Sequence, residues 1–252
     1  MSFLTTVWEI LIVYWPMFLR GAGTTLLIAL VGTIIGAIIG LLIGVVRTIP
    51  TPEKGIKKIF LKFVNVIFSI YIEVFRGTPM MVQAMVIFYG TASIFHIRPN
   101  IMMAAFFIVS INTGAYMAEI VRGGIISIDK GQFEAARAIG MNHIQTMKNI
   151  VLPQVIRNIL PATGNEFVIN IKDTSVLNVI AVTELYFASS SIVGTNLLFF
   201  ETFFITCIIY LILTFTTTRI LRFFERKLDG PDTFIMAGNQ MQVKLPTDLG
   251  GK

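Results

Sequence analysis

The chain has 252 residues, 55% of them hydrophobic and only 13% charged, with a formal net charge of +6. A soluble domain carries about 25% charged residues, and here long stretches have none, so the composition excludes an ordinary soluble enzyme and points to a polytopic, all-α membrane protein. The single cysteine, Cys207, and two histidines, both in loops, leave no disulfide and no His-rich metal site. The positive charge lies beside apolar stretches, which fits membrane topology better than nucleic-acid binding.

Residues 1–19 have no basic n-region and no small-residue cleavage site, so no cleaved signal is expected. Phe3, Trp8, Trp15 and Phe18, with Glu9 and Pro16, suggest an outer interfacial segment anchored by aromatic rings. Thr24 to Val46 is uncharged and long enough to span. Within it Gly32, Gly36, Gly40 and Gly44 recur every four residues and make a smooth stripe for helix packing inside the subunit. Arg47, Lys54, Lys57, Lys58 and Lys62, around Pro50 and Pro52, form a basic inner loop.

The second span is interrupted. Apolar Phe63 to Ile72 is followed by the run Glu73 to Pro79 (EVFRGTP), and then by apolar Met80 to Phe95. Proline removes a backbone donor, and an arginine at membrane depth is costly. A broken helix is tolerated only where it is buried in protein or lines a cavity. Arg76, Gly77, Thr78 and Pro79 are therefore pathway candidates, unless the first half is an amphipathic surface helix with Arg76 near the interface. His96 to Asn100 is a short outer loop. Ile101 to Ala118 is a third span with Asn112, Thr113 and Gly114 near its middle, and Glu119 and Arg122 at its inner end.

Lys130 to Pro153 is a polar, patterned island. Asp129 is placed to cap a helix from Gln132 to Ile139, which has Glu134 and Arg137 at i,i+3. Gly140 is placed to end that helix in a left-handed conformation, and Asn142 to cap a second short one. Two short helices held between spans suit contact with a soluble partner; an ordinary cytoplasmic loop is the alternative.

The fourth span begins after Pro153 or Pro161 and carries Glu166, Asn170, Lys172 and Asp173. Residues 176–193 read as an irregular outer region with Glu184. Thr202 to Thr218 is the last span, Cys207 within it serving as lipid-facing or packing surface. A polar tail, 229–252, follows on the cytoplasmic side. The segments 47–62, 122–157 and 219–227 hold five, five and four Lys or Arg residues, 14 of the 20, against one in the loop 96–100. That asymmetry predicts five spans, an outside N-terminus and an inside C-terminus.

No G-x-x-x-x-G-K-[ST] loop is present, so the chain does not cradle nucleotide phosphates in that way. It reads as a pathway, not an enzyme. Arg76, Thr78, Gln83, Asn112, Glu166, Asn170, Lys172 and Asp173 put both signs of charge at membrane depth, as a zwitterionic solute requires. The same groups, with Gly77, Pro79 and Gly114 beside them, equally suit pairing with one another inside the bundle.

The polar island resembles the EAA motif of ABC importer permeases: Glu134-Ala135-Ala136, then Gly140, then Ile150-Val151-Leu152-Pro153, with each spacing kept. The stretches 73–79, 112–125, 130–141, 152–167 and 172–185 resemble the polar amino acid permeases of the histidine/glutamine uptake group. The resemblance covers roughly residues 20–228. It implies a five-span type I importer permease bundle over 21–228, with cytoplasmic coupling helices at about 128–153. It further implies Glu134, Ala135, Ala136, Gly140, Ile150, Leu152 and Pro153 as the contact to an ATPase. The implied partners are ATP-binding cassette subunits that carry ATP and Mg, a second identical or homologous permease subunit, and an extracytoplasmic amino acid-binding protein. No cofactor is expected in this chain itself. Transport would proceed by alternating access in the plasma (inner) membrane. The acid Glu166 leans the expected substrate slightly toward basic amino acids over glutamine or glutamate. An ATP-independent amino acid channel or secondary transporter is the alternative.

Overall fold

A computed structural model describes residues 2–52 and 54–228; the expected cytoplasmic tail, 229–252, lies outside the described residues. These residues form helices α1 (Phe3–Arg47), α2 (Ile56–Gly77), α3 (Met80–Phe95), α4 (Ile101–Ile126), α5 (Lys130–Ala138) and α6 (His143–Thr146). A π-helical turn, Met147–Val151, leads into α7 (Leu152–Asp173). A 3-10 segment, Thr174–Ile180, then precedes α8 (Leu185–Asn196) and α9 (Phe199–Leu228). No strand occurs among the described residues.

The glycine stripe sets the central contact. Gly32, Gly36, Gly40 and Gly44 of α1 lie against Val109, Thr113, Met117 and Val121 of α4. Both rows step by four residues, so a ridge of one helix sits on the smooth groove of the other. The fit is close: a Cβ on Gly40 would stand 2.3 Å from the Met117 Cβ and 2.7 Å from its carbonyl carbon. Farther along α1, a Cβ on Gly21 would stand 2.8 Å from the Leu185 Cα. Apolar side chains fill the space on either side of the α1–α4 seam. Ile28, Ala105, Ile108 and Leu177 pack at one end, and Met117, Val121, Val151 and Val155 at the other.

Two boundaries differ from the sequence reading. The interfacial segment and the first span are one helix, α1, of 45 residues with Pro16 inside it. At about 1.5 Å per residue it measures about 68 Å, well beyond the hydrocarbon thickness of about 30 Å. Packing holds the extension in place, because Ile10 and Phe18 are buried against Leu185, Ile192 and Ile205. The expected irregular region 176–193 is ordered. The 3-10 segment ends at Ala181, whose φ of 62° is left-handed, and Glu184 then caps α8 by accepting from the amides of Tyr186 and Phe187 at 2.9 and 2.8 Å. A buried acid in a Ser-rich stretch looks like a loop in sequence, but here it starts a helix.

Three helices, Phe3–Arg47, Ile101–Ile126 and Phe199–Lys227, are long and apolar enough to cross a membrane; the bent pair His143–Ile180 and Leu185–Asn196 makes a fourth if it is one span. Helix α2 carries Lys57, Lys58, Lys62, Glu73 and Arg76, and α3, although apolar, has only 16 residues.

Substitution at the seam should separate space from propensity. Gly40→Ala is expected to destabilise by about 1–3 kcal/mol through overpacking. Gly23→Ala, where a Cβ meets nothing within 4 Å, should be neutral or mildly stabilising. Thermal unfolding of the two variants in detergent would check this.

Candidate functional site

Two regions carry the chemistry. The first is the α5–α6 projection. The Asp129 carboxylate accepts from the Gly131 amide at 2.6 Å and starts α5. The helix ends at Gly140 with φ +81°, where the Gly140 amide donates to the Arg137 carbonyl and the Met141 amide to that of Ala136. Such closure requires a left-handed residue, and glycine adopts that conformation without strain. Asn142 and Gln145 then close a capping box at the start of α6, each bond 2.9 Å. The projection is thus two short helices, each capped on its own.

Within the projection Ala136 is buried, whereas Glu134, Ala135, Arg137 and Gly140 are exposed. Among the described residues no ion pair joins Glu134 to Arg137. Ile150 and Leu152 are half-buried, and Leu152 packs on the Met147–Val151–Val155 cluster, so it anchors the projection to the bundle. Pro153 has no amide to donate to the Asn149 carbonyl. The preceding turn widens to the π form, with the Leu152 amide donating to Met147, and the Gln154 side chain donates to the Ile150 carbonyl at 2.8 Å. Ile139 and Ile144, which the motif spacing did not mark, stand 76% and 75% exposed at the tip. Their signal in sequence is only an apolar residue on each side of Gly140 and Asn142.

The second region is the break between α2 and α3. The Thr78 hydroxyl donates to the Val74 carbonyl at 2.7 Å. The Gln83 amide nitrogen donates to the carbonyls of Phe75 and Thr78 at 2.9 and 2.8 Å. Asn112 of α4 donates to the Gln83 amide oxygen at 2.9 Å and to the Phe75 carbonyl at 3.3 Å. Thr78, Gln83 and Asn112 therefore converge and satisfy the carbonyls freed where Pro79 interrupts the helix. These side chains thus bond to one another and to the freed carbonyls inside the bundle. Gly114 lies nearby but serves packing: a Cβ there would stand 2.8 Å from both Ile39 and the Tyr71 hydroxyl.

Arg76 stands outside this network. It is exposed, and its guanidinium lies 5.5 Å from the centroid of the Tyr116 ring. Gly77 beside it has open space around it. On α7 the spacing puts Glu166, Asn170 and Asp173 on one face. Asn170 is buried and donates to the hydroxyls of Thr33 and Thr113 at 2.8 and 3.0 Å, tying α7 to α1 and α4. Glu166 is half-buried, and the charges acting on it are those of Asp173 and Arg76. Lys172 is exposed and forms no ion pair with Glu166 among the described residues. So Arg76, Lys172 and Asp173 are exposed and Glu166 is half-buried, with no ion pair among them in the described residues, whereas Thr78, Gln83, Asn112 and Asn170 are engaged within the bundle.

Sequence reasoning missed a clamp at the basic end of the bundle. Glu119 pairs with Arg47 of α1 through one oxygen and with Arg122, at 2.8 Å, through the other. Arg47 also donates to the Ser69 hydroxyl of α2 at 3.4 Å. The i,i+3 spacing of Glu119 and Arg122 is visible in the chain, but the Arg47 contact spans 72 positions. Among the described residues no group of three or more His, Cys, Asp or Glu side chains is placed to hold a metal ion.

Residues 58–230 match the family described as binding-protein-dependent transport system inner membrane component. The chain belongs to this family. It is therefore a transport permease subunit of a multi-pass inner membrane protein class, not an enzyme. The permease is 39% identical over 165 residues to the glutamine transport system permease protein GlnP of Escherichia coli K12, covering 65% of this chain and 75% of that one. It is 38% identical over 168 residues to the L-cystine transport system permease protein TcyB of Bacillus subtilis 168, covering 65% and 70%. A crystal structure of an amino acid ABC transporter with histidines matches 90% of this chain and 99% of its own, with a TM-score of 0.77 and 35% identity. An inward-facing MetNI methionine ABC transporter shares the fold at a TM-score of 0.69 and 19% identity, covering 85% of this permease and 97% of its own chain.

The break network yields a stability prediction. Gln83→Ala leaves the Phe75 carbonyl with only a long bond from Asn112 and removes the Asn112 acceptor, so a loss of about 1–3 kcal/mol is expected. Thermal unfolding of the solubilised permease would measure it, and Gln83→Glu, which cannot donate when ionised, should not restore it.

Proposed function

We propose that this permease is the transmembrane subunit of an ATP-driven importer of polar or charged L-amino acids. The observation that carries the reading is the α5–α6 projection: two separately capped helices on which Glu134, Arg137, Ile139 and Ile144 are exposed, with no ion pair for either charge among the described residues. A cleft on a soluble ATPase subunit would supply the missing contacts, and that partner would hold ATP and Mg. The EAA spacing and the 35% identical amino acid transporter structure support this reading. A second permease subunit, identical or homologous, would complete the pathway, and an extracytoplasmic binding protein would deliver the amino acid.

Transport would proceed by alternating access, with nucleotide-driven closure of the ATPase shifting the balance between two states. The broken pair α2–α3 would make the fifth crossing. The ion pair of Arg47 with Glu119 brings the basic segments at 47–62 and 122–157 to one end of the bundle, which supports a cytoplasmic location for that end and an outside N-terminus.

For the substrate, Arg76 is suited to a carboxylate, and Glu166 with Asp173 to an ammonium or a cationic side chain. The half-buried acid Glu166 leans the reading slightly toward basic amino acids over glutamine or glutamate.

Two experiments test these assignments. Glu134→Lys should abolish amino acid uptake by cells or proteoliposomes while membrane insertion stays normal; full uptake would remove the coupling role. Glu166→Gln should reduce uptake of arginine relative to glutamine by about tenfold, the size of one lost charge-assisted hydrogen bond. An unchanged preference in radiolabelled competition would remove Glu166 from selectivity.

A further inference from the structure

The last turns of α9 carry charges that neither the coupling projection nor the pathway uses. Helix α9 is long and apolar enough to cross a membrane over Phe199–Lys227, and from Thr202 to Thr218 it has no charge. At about 1.5 Å per residue that run measures about 26 Å, close to the hydrocarbon thickness of about 30 Å. Arg219 therefore stands at the edge of the hydrocarbon, and Arg222, nearly one turn on, at headgroup depth. Arg219, Arg222 and Arg226 share one helix face with Phe215 and Phe223, because these positions fall within about 100° of arc. All five side chains are exposed. The opposite face is taken, with Thr217 buried and Leu221 against Gly164 of α7. The Arg219 guanidinium lies 4.8 Å from the centroid of the Phe215 ring, so an apolar surface backs the cation. The acid nearest along the helix is Glu225, three residues from Arg222, and among the described residues no ion pair joins it to any of these arginines.

We propose that this face of α9 binds one anionic phospholipid, its phosphate held by Arg219 and Arg222 and an acyl chain lying along Phe215. Depth, charge and apolarity together select this occupant. A guanidinium is planar and offers paired N–H donors that match phosphate oxygens. Two of them nearly one turn apart can hold a single headgroup at the depth where lipid phosphates lie, and Arg226 adds charge farther out. Their stems lie along apolar surface while the charged ends reach the headgroup. A soluble anion would use the arginines but not Phe215, which lies within the hydrocarbon. A zwitterionic lipid would use the ring but set its own cation beside the arginines. Topology alone accounts for bases at the end of a membrane helix, but it does not require them to share a face with each other and with two rings. The proposal rests on α9 crossing the membrane and not on the transport reading.

The test is lipid retention by the full chain, measured by native mass spectrometry in detergent with added phosphatidylglycerol or phosphatidylcholine. It needs neither ATPase nor substrate, so it can fail while the transport reading stands, and the transport reading can fail without it. The wild type should retain phosphatidylglycerol and discriminate against phosphatidylcholine. Arg219→Gln with Arg222→Gln should weaken phosphatidylglycerol retention roughly 30-fold, the effect of two basic residues beside an acidic headgroup. Phe215→Ser with Phe223→Ser should also weaken it, although every arginine remains. Lys57→Gln with Lys62→Gln, an equal charge change on α2, should leave it unchanged. All six positions are exposed, so the variants are expected to fold, and unfolding midpoints would verify it. Equal retention of phosphatidylcholine, or an unaffected arginine variant, overturns the proposal. An equal loss in the α2 variant overturns it in favour of diffuse attraction by net charge. An unaffected phenylalanine variant overturns it in favour of a soluble anion, which displacement by inorganic phosphate would show directly. A shift in the monomer–dimer ratio of the arginine variant with unchanged lipid retention would assign the face to a second copy of the chain instead.

Discussion

The near-contact of two helix backbones along the α1–α4 seam is the constraint on which the rest of this structure depends. Lipid offers no hydrophobic drive for helices to associate, so close packing must supply the attraction. Four glycines on α1 let α4 approach until Met117 and Val121 lie directly on the backbone. Once that seam is set, Thr33 and Thr113 face each other across it, and Asn170 of α7 binds both hydroxyls. The seam therefore also positions the helix that carries Glu166 and Asp173. At its basic end, Arg47 and Glu119 continue the same alignment and bring in Ser69 of α2.

Polar groups at membrane depth fall into two kinds in this permease. Thr78, Gln83 and Asn112 replace the hydrogen bonds that Pro79 and the helix ends cannot make, and Asn170 ties three helices together. These groups are satisfied by neighbours. Arg76, Glu166, Lys172 and Asp173 are the charged ones, and among the described residues no ion pair joins them.

Much of this was legible in the sequence for local reasons. The glycine period, the caps at Asp129 and Asn142, the left-handed Gly140 and the break at Thr78-Pro79 each follow from a few neighbouring residues and the geometry of helix ends. The double life of the polar groups was legible only as a choice, because composition cannot tell whether Gln83 meets a solute or the Phe75 carbonyl. What stayed hidden depends on distant contacts. Arg47 meets Glu119 across 72 positions. The extension of α1 past Pro16 depends on burial of Phe18 beside Leu185, and the order of α8 depends on Glu184, fully buried and bonded by Tyr210 at 3.0 Å. A loop-like composition carries no mark of such partners.

The π turn before α7 has a mechanical consequence. It holds Met147 to Val151 in a wider winding than the helices on either side, and Pro153 keeps it from tightening. Tightening by one residue would turn α7 about its axis by about 100°, which would carry Asn170 away from Thr33 and Thr113. The helix is thus pinned against rotation at two heights, by a proline at its foot and an amide at its middle. With the helix pinned in this way, a displacement at its foot would reach α7 as tilt rather than as rotation.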